Sequence, residues 1–197
     1  QGTHERTVYA GSEPKASYVQ IFHGEINKLN WKQRRSLHAM ESAINARLLK
    51  RLREELSGVY NVSFALEFQS AFTDQFQGQL SFGCAPERLD ELRQEAEKIV
   101  EAVMAAGITE EELKIEKEQA RRSREQAVTS NHFWLRVIMN TTKRGENLLE
   151  ILEYLDHNQS LTQEEITAAS KELTAGMRGK ATLLQYPQSM KPQSPSP

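Results

Sequence analysis

Arg53-Glu54-Glu55-Leu56-Ser57-Gly58-Val59-Tyr60 is the stretch on which the fold turns, because a helical pattern stops in it and a strand pattern starts. Before it, Leu37, Met40, Ile44, Leu48 and Leu52 recur every three or four residues. That is the period of a helix burying one stripe, and Arg34, Arg35, Lys50, Arg51 and Glu54 fall off the stripe. Ser57-Gly58 ends the helix, with Gly58 expected in the left-handed cap. After it, Tyr60, Val62, Phe64, Leu66 and Phe68 share one parity and Asn61, Ser63 and Glu67 the other, which predicts a strand whose buried face begins at Tyr60. Phe76, Leu80, Phe82 and Cys84 alternate with Gln75, Gln77, Gln79 and Ser81 and supply an antiparallel mate across a short connection at 70–74. The corner therefore sets a permanent cation, Arg53, beside a phenol, Tyr60.

Working outward, residues 7–9 and 17–23 read as extended, separated by Gly11 and Pro14. In the second, Tyr18, Gln20 and Phe22 alternate with Val19 and Ile21, as in a strand covered on both faces. Pro86 stands where a first helical turn tolerates it, and Leu89, Leu92, Ala96, Ile99 and Val103 carry a helix to Gly107. Thr109 with Glu112, and Thr162 with Glu165, are capping boxes that open two more helices. Helical segments are also expected around 132–140 and 147–155, and a closing strand at 181–186. The final residues are Pro, Ser and Gln with one Lys, so the domain is assigned to 1–187 and a disordered Pro/Ser-rich tail to 188–197. A hairpin flanked by helices, without regular strand–helix alternation, predicts an α+β fold: a largely antiparallel sheet with helices packed on one face.

The 197 residues, 38% hydrophobic and 26% charged, suffice for one domain with a real core. Lys plus Arg is 25 against Asp plus Glu 27, so a net charge of -2 gives no reason to expect nucleic acid or an anionic membrane as partner. Arg121, Arg122 and Arg124 share their helix with Glu116, Glu118 and Glu125 and read as a solvated face; Phe133 and Trp134 read as core or interdomain contact. The single Cys84 excludes an intrachain disulfide framework and has the parity of a buried, inert thiol. No apolar run approaches a membrane span, and residues 1–6 do not read as a signal peptide. The chain opens on Gln1, which is read as processing or excision from something longer.

The segment from Leu52 to Val62 resembles the Leu-Arg-Glu-Lys...Gly...Tyr-Ser-Val segment in the second half of the inverzincin (M16-type) zinc proteases, the pitrilysin, insulinase and mitochondrial processing peptidase family. Lys15-Ala16-Ser17-Tyr18-Val19 resembles the first strand of that family's C-terminal domain, Cys84-Ala85-Pro86-Glu87-Arg88-Leu89-Asp90-Glu91-Leu92 its post-hairpin helix, and Gly107-Ile108-Thr109-Glu110-Glu111-Glu112-Leu113 the next. Asn131-His132-Phe133-Trp134-Leu135 and Leu161-Thr162-Gln163-Glu164-Glu165-Ile166 follow in register, and the similarity is strongest to bacterial periplasmic-type members.

The family's zinc signature is His-x-x-Glu-His, with two metal-binding histidines and a general-base glutamate. Here the nearest approach is His38-Ala39-Met40-Glu41-Ser42, with Ser where the second ligand must stand. The resemblance makes His38 and Glu41 a degenerate remnant, and offers Glu116 or Glu118 as the counterpart of the distal glutamate ligand. The resemblance implies no metal on this chain and no catalytic residue on this chain alone, the zinc being expected in the catalytic N-terminal half of a parent.

What the resemblance implies for this half is substrate handling. In the family a second-half Arg, and a Tyr seven positions later, hydrogen-bond substrate carbonyls beside the metal; Arg53 and Tyr60 keep that spacing. The family usually has Gly four residues after the Arg, whereas here Ser57 holds that position and glycine follows at Gly58. The expected role is a non-catalytic domain completing a peptide-binding chamber, in the periplasm by resemblance. Two rivals are an assembly domain of a relative that has lost proteolysis, as in respiratory-complex core subunits, and an unrelated α+β regulatory domain with a small ligand on its sheet.

Overall fold

A computed structural model describes residues 2–27, 29–68 and 75–192. The chain runs β1 (Gly2–Tyr9), β2 (Ala16–Glu25), α1 (Trp31–Leu48), β3 (Val59–Phe68), β4 (Gln75–Cys84), α2 (Leu89–Ala106), α3 (Glu110–Ala127), α4 (Asn131–Arg144), α5 (Tyr154–Ser160), α6 (Gln163–Gly176) and β5 (Met177–Tyr186). The sheet order is β1-β5-β2-β4-β3, and among the described residues only β1 with β5 is parallel. The expected α+β class holds, and the closing strand, longer than residues 181–186, lies inside the sheet between β1 and β2. The 70–74 connection lies outside the described residues, as do 193–197 of the expected tail. Within that tail Gln188–Met190 forms a 3-10 turn, and the Gln188 N–H donates to Gly11 O at 3.0 Å.

Helices α1, α2 and α6 pack on one face of the sheet; outside them α3 packs on α1 and α5 on α3. The stripe Leu37, Met40, Ile44, Leu48 and Leu52 is wholly buried, together with Tyr18, Phe22, Phe64, Phe76, Leu80 and Phe82 from the sheet. Burying such a stripe is what holds an amphipathic helix in water. β2 departs from expectation: Tyr18, Gln20 and Phe22 are buried, while Val19 and Ile21 on the other face are half-exposed. Among the described residues helices cover one face only, and the second apolar parity of β2 lies on the uncovered one. Gln20 is tolerated inside because its amide donates to both the Tyr18 hydroxyl and Glu97 Oε1, at 2.6 Å each.

Local punctuation was legible. Both capping boxes form, Thr109 with Glu112 and Thr162 with Glu165. Gly145 caps α4 in the left-handed conformation. Arg47 donates to both Glu112 oxygens, at 2.6 and 2.7 Å, and this fork holds the Glu112 carboxyl down at about 2. Cys84 is fully buried, and burial pushes its thiol up to about 11, which keeps it unreactive at neutral pH.

His157, at the end of α5, makes the fold sensitive to mild acid. Its ring sits edge-on to the Trp31 indole with centroids 5.0 Å apart, and its Nε2 has no hydrogen-bond partner among the described residues. Burial chiefly lowers its pKa from 6.5; Lys32 and Arg35 add to this, and Glu165 opposes it. The unfolded chain therefore binds a proton that the fold refuses. This contribution is complete above about pH 6.5 and is lost as pH falls through the window below it. The urea midpoint is expected to drop between about pH 7.5 and 5, and His157→Gln should flatten that part of the drop; an unchanged slope in the variant would contradict it.

Candidate functional site

The last turns of the first helix do not keep α-helical winding. Leu49–Glu55 is π-helical, Leu52 staying buried while Arg53 faces solvent. The wider winding shows in the exit, where the Leu56 N–H donates to Arg51 O at 3.0 Å and the Gly58 N–H to Leu52 O at 2.8 Å. The second bond is one residue wider than an ordinary Schellman closure.

The left-handed residue is Ser57, with φ 47, and not Gly58 as expected. Ser57 thus adopts the backbone that a glycine four residues after Arg53 would take without strain. Gly58 is needed for another reason. A Cβ there would lie 2.5 Å from Leu92 Cδ2, and Arg88, whose Nη1 donates to Leu56 O at 2.9 Å, closes over the same corner. Ser57→Gly should relieve the strain and stabilise the chain by up to about 1 kcal/mol. A thermal melt of the variant that is unshifted or lower would refute this.

Tyr60 also departs from the strand parity. Val59 pairs with Cys84 and Asn61 with Gly83, so Tyr60 is an extra, unpaired residue in a β-bulge. The bulge turns Tyr60 out of the core: it is 74% exposed, whereas Val59 and Phe64 are buried. The neighbouring cations are engaged. Arg51 bonds Glu55 and Glu95, and Arg88 bonds Glu91 and the Leu56 carbonyl. Arg53 holds no hydrogen bond or ion pair among the described residues, and both it and Tyr60 are exposed to solvent.

The residues offered by the degenerate zinc motif do not fit a metal. The His38 side chain is 74% exposed, with Nδ1 3.9 Å from Glu41 Oε2. Burial raises the Glu41 carboxyl pKa against the pull of His38 and of the Leu66 backbone N–H. Beside it, Asn45 donates to Phe64 O at 2.8 Å and accepts from Phe64 N at 2.9 Å. Asn45 therefore closes the free edge of β3.

His38, Ser42 and Glu116 do line one cavity, but Arg35 Nη1 lies 3.0 Å from Glu116 Oε1 and the pair is buried there. The guanidinium supplies the positive charge beside Glu116. Glu118 is taken by Arg121 and Arg122. Among the described residues no group of three His, Cys, Asp or Glu side chains is placed to hold a metal.

Two features carried no sequence signal. Arg35 reads as an ordinary off-stripe helix residue and Asn45 carries no pattern of its own, because their partners lie far along the chain. The bulge at Tyr60 leaves the apolar alternation around it intact, and only the pairing register reveals it.

Residues 5–120, more than half of the chain, match the family described as Peptidase M16 inactive domain. The probable zinc protease PqqL of Escherichia coli is 28% identical over 167 residues, which is 84% of this chain and 18% of that protein. The crystal structure of the periplasmic protease PqqL from Escherichia coli superposes with a TM-score of 0.84 at 26% identity, covering 94% of this chain and 20% of that one. The ferredoxin protease FusC in complex with Arabidopsis ferredoxin shares the fold, with a TM-score of 0.79 at 19% identity over 95% of this chain and 20% of that one. This chain thus spans about a fifth of the length of these relatives. It belongs to the M16 peptidase inactive-domain family.

Proposed function

We propose that this chain is the non-catalytic domain that completes the substrate-enclosing chamber of a zinc-dependent peptidase, with Arg53 and Tyr60 reaching the reaction centre of a catalytic half. The observation that carries this reading is the bulge at Tyr60. An otherwise regular strand breaks its pairing to expose a phenol, seven residues after an arginine left without a partner among the described residues. Bulges and π-helical turns concentrate where a side chain must be re-aimed for function. A bulge and a π-helical turn flank this single corner.

The Lewis-acid chemistry belongs to the zinc of the other half. This chain's contribution is electrostatic. The Arg53 guanidinium offers a rigid fork of donors to substrate carbonyls, and the Tyr60 hydroxyl donates to the oxyanion as charge develops on it. Leu135, Ile138, Met139, Leu149 and Leu152, exposed on α4 and the turn after it, give an apolar surface suited to contact with the rest of such a chamber. A polypeptide substrate is proposed from the family, and a periplasmic location from the relative described as periplasmic.

The reading is tested by reassembly. The chain alone should show no peptidase activity and substoichiometric zinc. Combined with a catalytic half carrying an intact His-x-x-Glu-His motif, it should raise turnover well above that of the catalytic half alone. Equal turnover with and without this chain would favour an assembly role.

A further inference from the structure

The basic run Arg121, Arg122 and Arg124 does not behave as one solvated face. Arg121 is gripped by Glu118 and Glu125, and Arg122 by Glu118. Arg124 turns into the seam between α3, α4 and the start of α5. Its guanidinium carbon lies 4.7 Å from the Phe133 ring centroid and 4.6 Å from that of Tyr154, and Nη2 donates to Ile151 O at 2.8 Å. Two aromatic faces and one carbonyl therefore engage a half-buried guanidinium that has five N–H donors. No carboxylate pairs with it among the described residues. Burial lowers its pKa, the direction of a cation short of counter-charge.

Two cavities meet at this side chain. One, of about 320 Å³, is walled by Trp31, Val137, Ile151 and Tyr154; the other, of about 530 Å³, by Phe133, Arg136 and the Arg35–Glu116 pair. Both volumes fall in the range of small-ligand sites. Five guanidiniums border the two cavities, those of Arg34, Arg35, Arg124, Arg136 and Arg144, against the carboxylates of Glu116, Glu146 and Glu150. Glu116 is used by Arg35, and Glu146 by Arg34 and Arg144. Arg124 and Arg136 are left without an ion pair among the described residues, as is Glu150, so the two cavities carry a net positive surplus on a chain whose overall charge is -2.

We propose that this double cavity binds an apolar carboxylate, the C-terminal residue of a peptide, with its carboxylate on the open edge of Arg124 and its side chain against Trp31, Val137 and Ile151. A planar fork held against two rings offers its remaining N–H donors to a carboxylate, and the apolar wall rewards a carbon side chain. A free phosphate would gain nothing from that wall. The choice of a peptide terminus as the source rests on the chamber reading above. Binding is measured on this chain alone and turnover on the assembled enzyme, so either can fail without the other.

The test is calorimetric titration of the 197-residue chain with an N-acetylated pentapeptide ending in Leu, as free acid and as C-terminal amide, and with inorganic phosphate. The acid is expected to bind at least about tenfold more tightly than the amide, and Arg124→Gln to lose about tenfold in acid binding. Arg122→Gln, on the solvated side of the same helix, should bind as the unaltered chain does. Equal affinity for acid and amide, binding of neither, or tighter binding of phosphate than of the acid would overturn the proposal. So would full acid binding in a folded Arg124→Gln chain. The acid and amide comparison uses the unaltered chain and is decisive even where the variant fails to fold.

Discussion

Arg53→Ala in the assembled protease is expected to lower kcat by about 10²- to 10³-fold, the size of effect that follows from removing one preorganised donor at a reaction centre, or about 2.7–4 kcal/mol. The fold should not register the loss. Arg53 is exposed, holds no partner among the described residues, and lies off the buried stripe that Leu48 and Leu52 continue. A surface change of that kind moves stability by no more than about 0.5 kcal/mol. The contrast between a large kinetic effect and a silent thermal melt is the informative part, since a helix-end cation acting only on the dipole would give the opposite. Arg53→Lys should recover little, because a point charge cannot reproduce a rigid two-pronged donor.

Arg35→Met is expected to be the costliest single change to the fold among those considered. The Arg35 guanidinium is buried, with Nη1 on Glu116 at 3.0 Å and with Nε and Nη2 on Asn158 Oδ1 at 3.2 and 2.5 Å. Asn158 in turn donates to Lys117 O at 2.9 Å, so one side chain ties α1 to α3 and α5. Removing it leaves a buried carboxylate without a counter-charge, which costs about 3–5 kcal/mol. Against a total stability of roughly 5–15 kcal/mol that is a large fraction, and it should appear as a lowered urea midpoint with little change in slope. Adding Glu116→Met should restore most of the loss, because the uncompensated charge is then gone. A single-variant cost below about 1 kcal/mol would mean that the pair is effectively solvated.

Much of the fold was legible because its signals are local. The stripe from Leu37 to Leu52, the two capping boxes and the alternation in β3 and β4 each need only a few neighbouring residues to be read. The failures have a different physical origin. Val19 and Ile21 suggested a strand covered twice, but whether a second layer exists depends on where distant helices pack. The cap was placed on Gly58 because glycine tolerates a left-handed backbone best, yet contact with Leu92 is what demands a glycine there, and Ser57 takes the strained turn.

The geometry of the proposed site was not legible in the sequence. Spacing and resemblance singled out Arg53 and Tyr60. The exposure of Tyr60 rests on one extra residue in the pairing with β4, which no parity count detects. Likewise Arg124 could not be told from Arg121 and Arg122, since its aromatic neighbours Phe133 and Tyr154 reach it only through the fold.

Tyr60→Phe tests the central claim most directly, because it removes one hydroxyl and leaves the bulge, the ring and the neighbouring Arg53 in place. In the assembled protease the account expects kcat to fall by at least about tenfold with KM and melting temperature unchanged, the pattern of an interaction made only in the transition state. A kcat equal to that of the unaltered enzyme would contradict it.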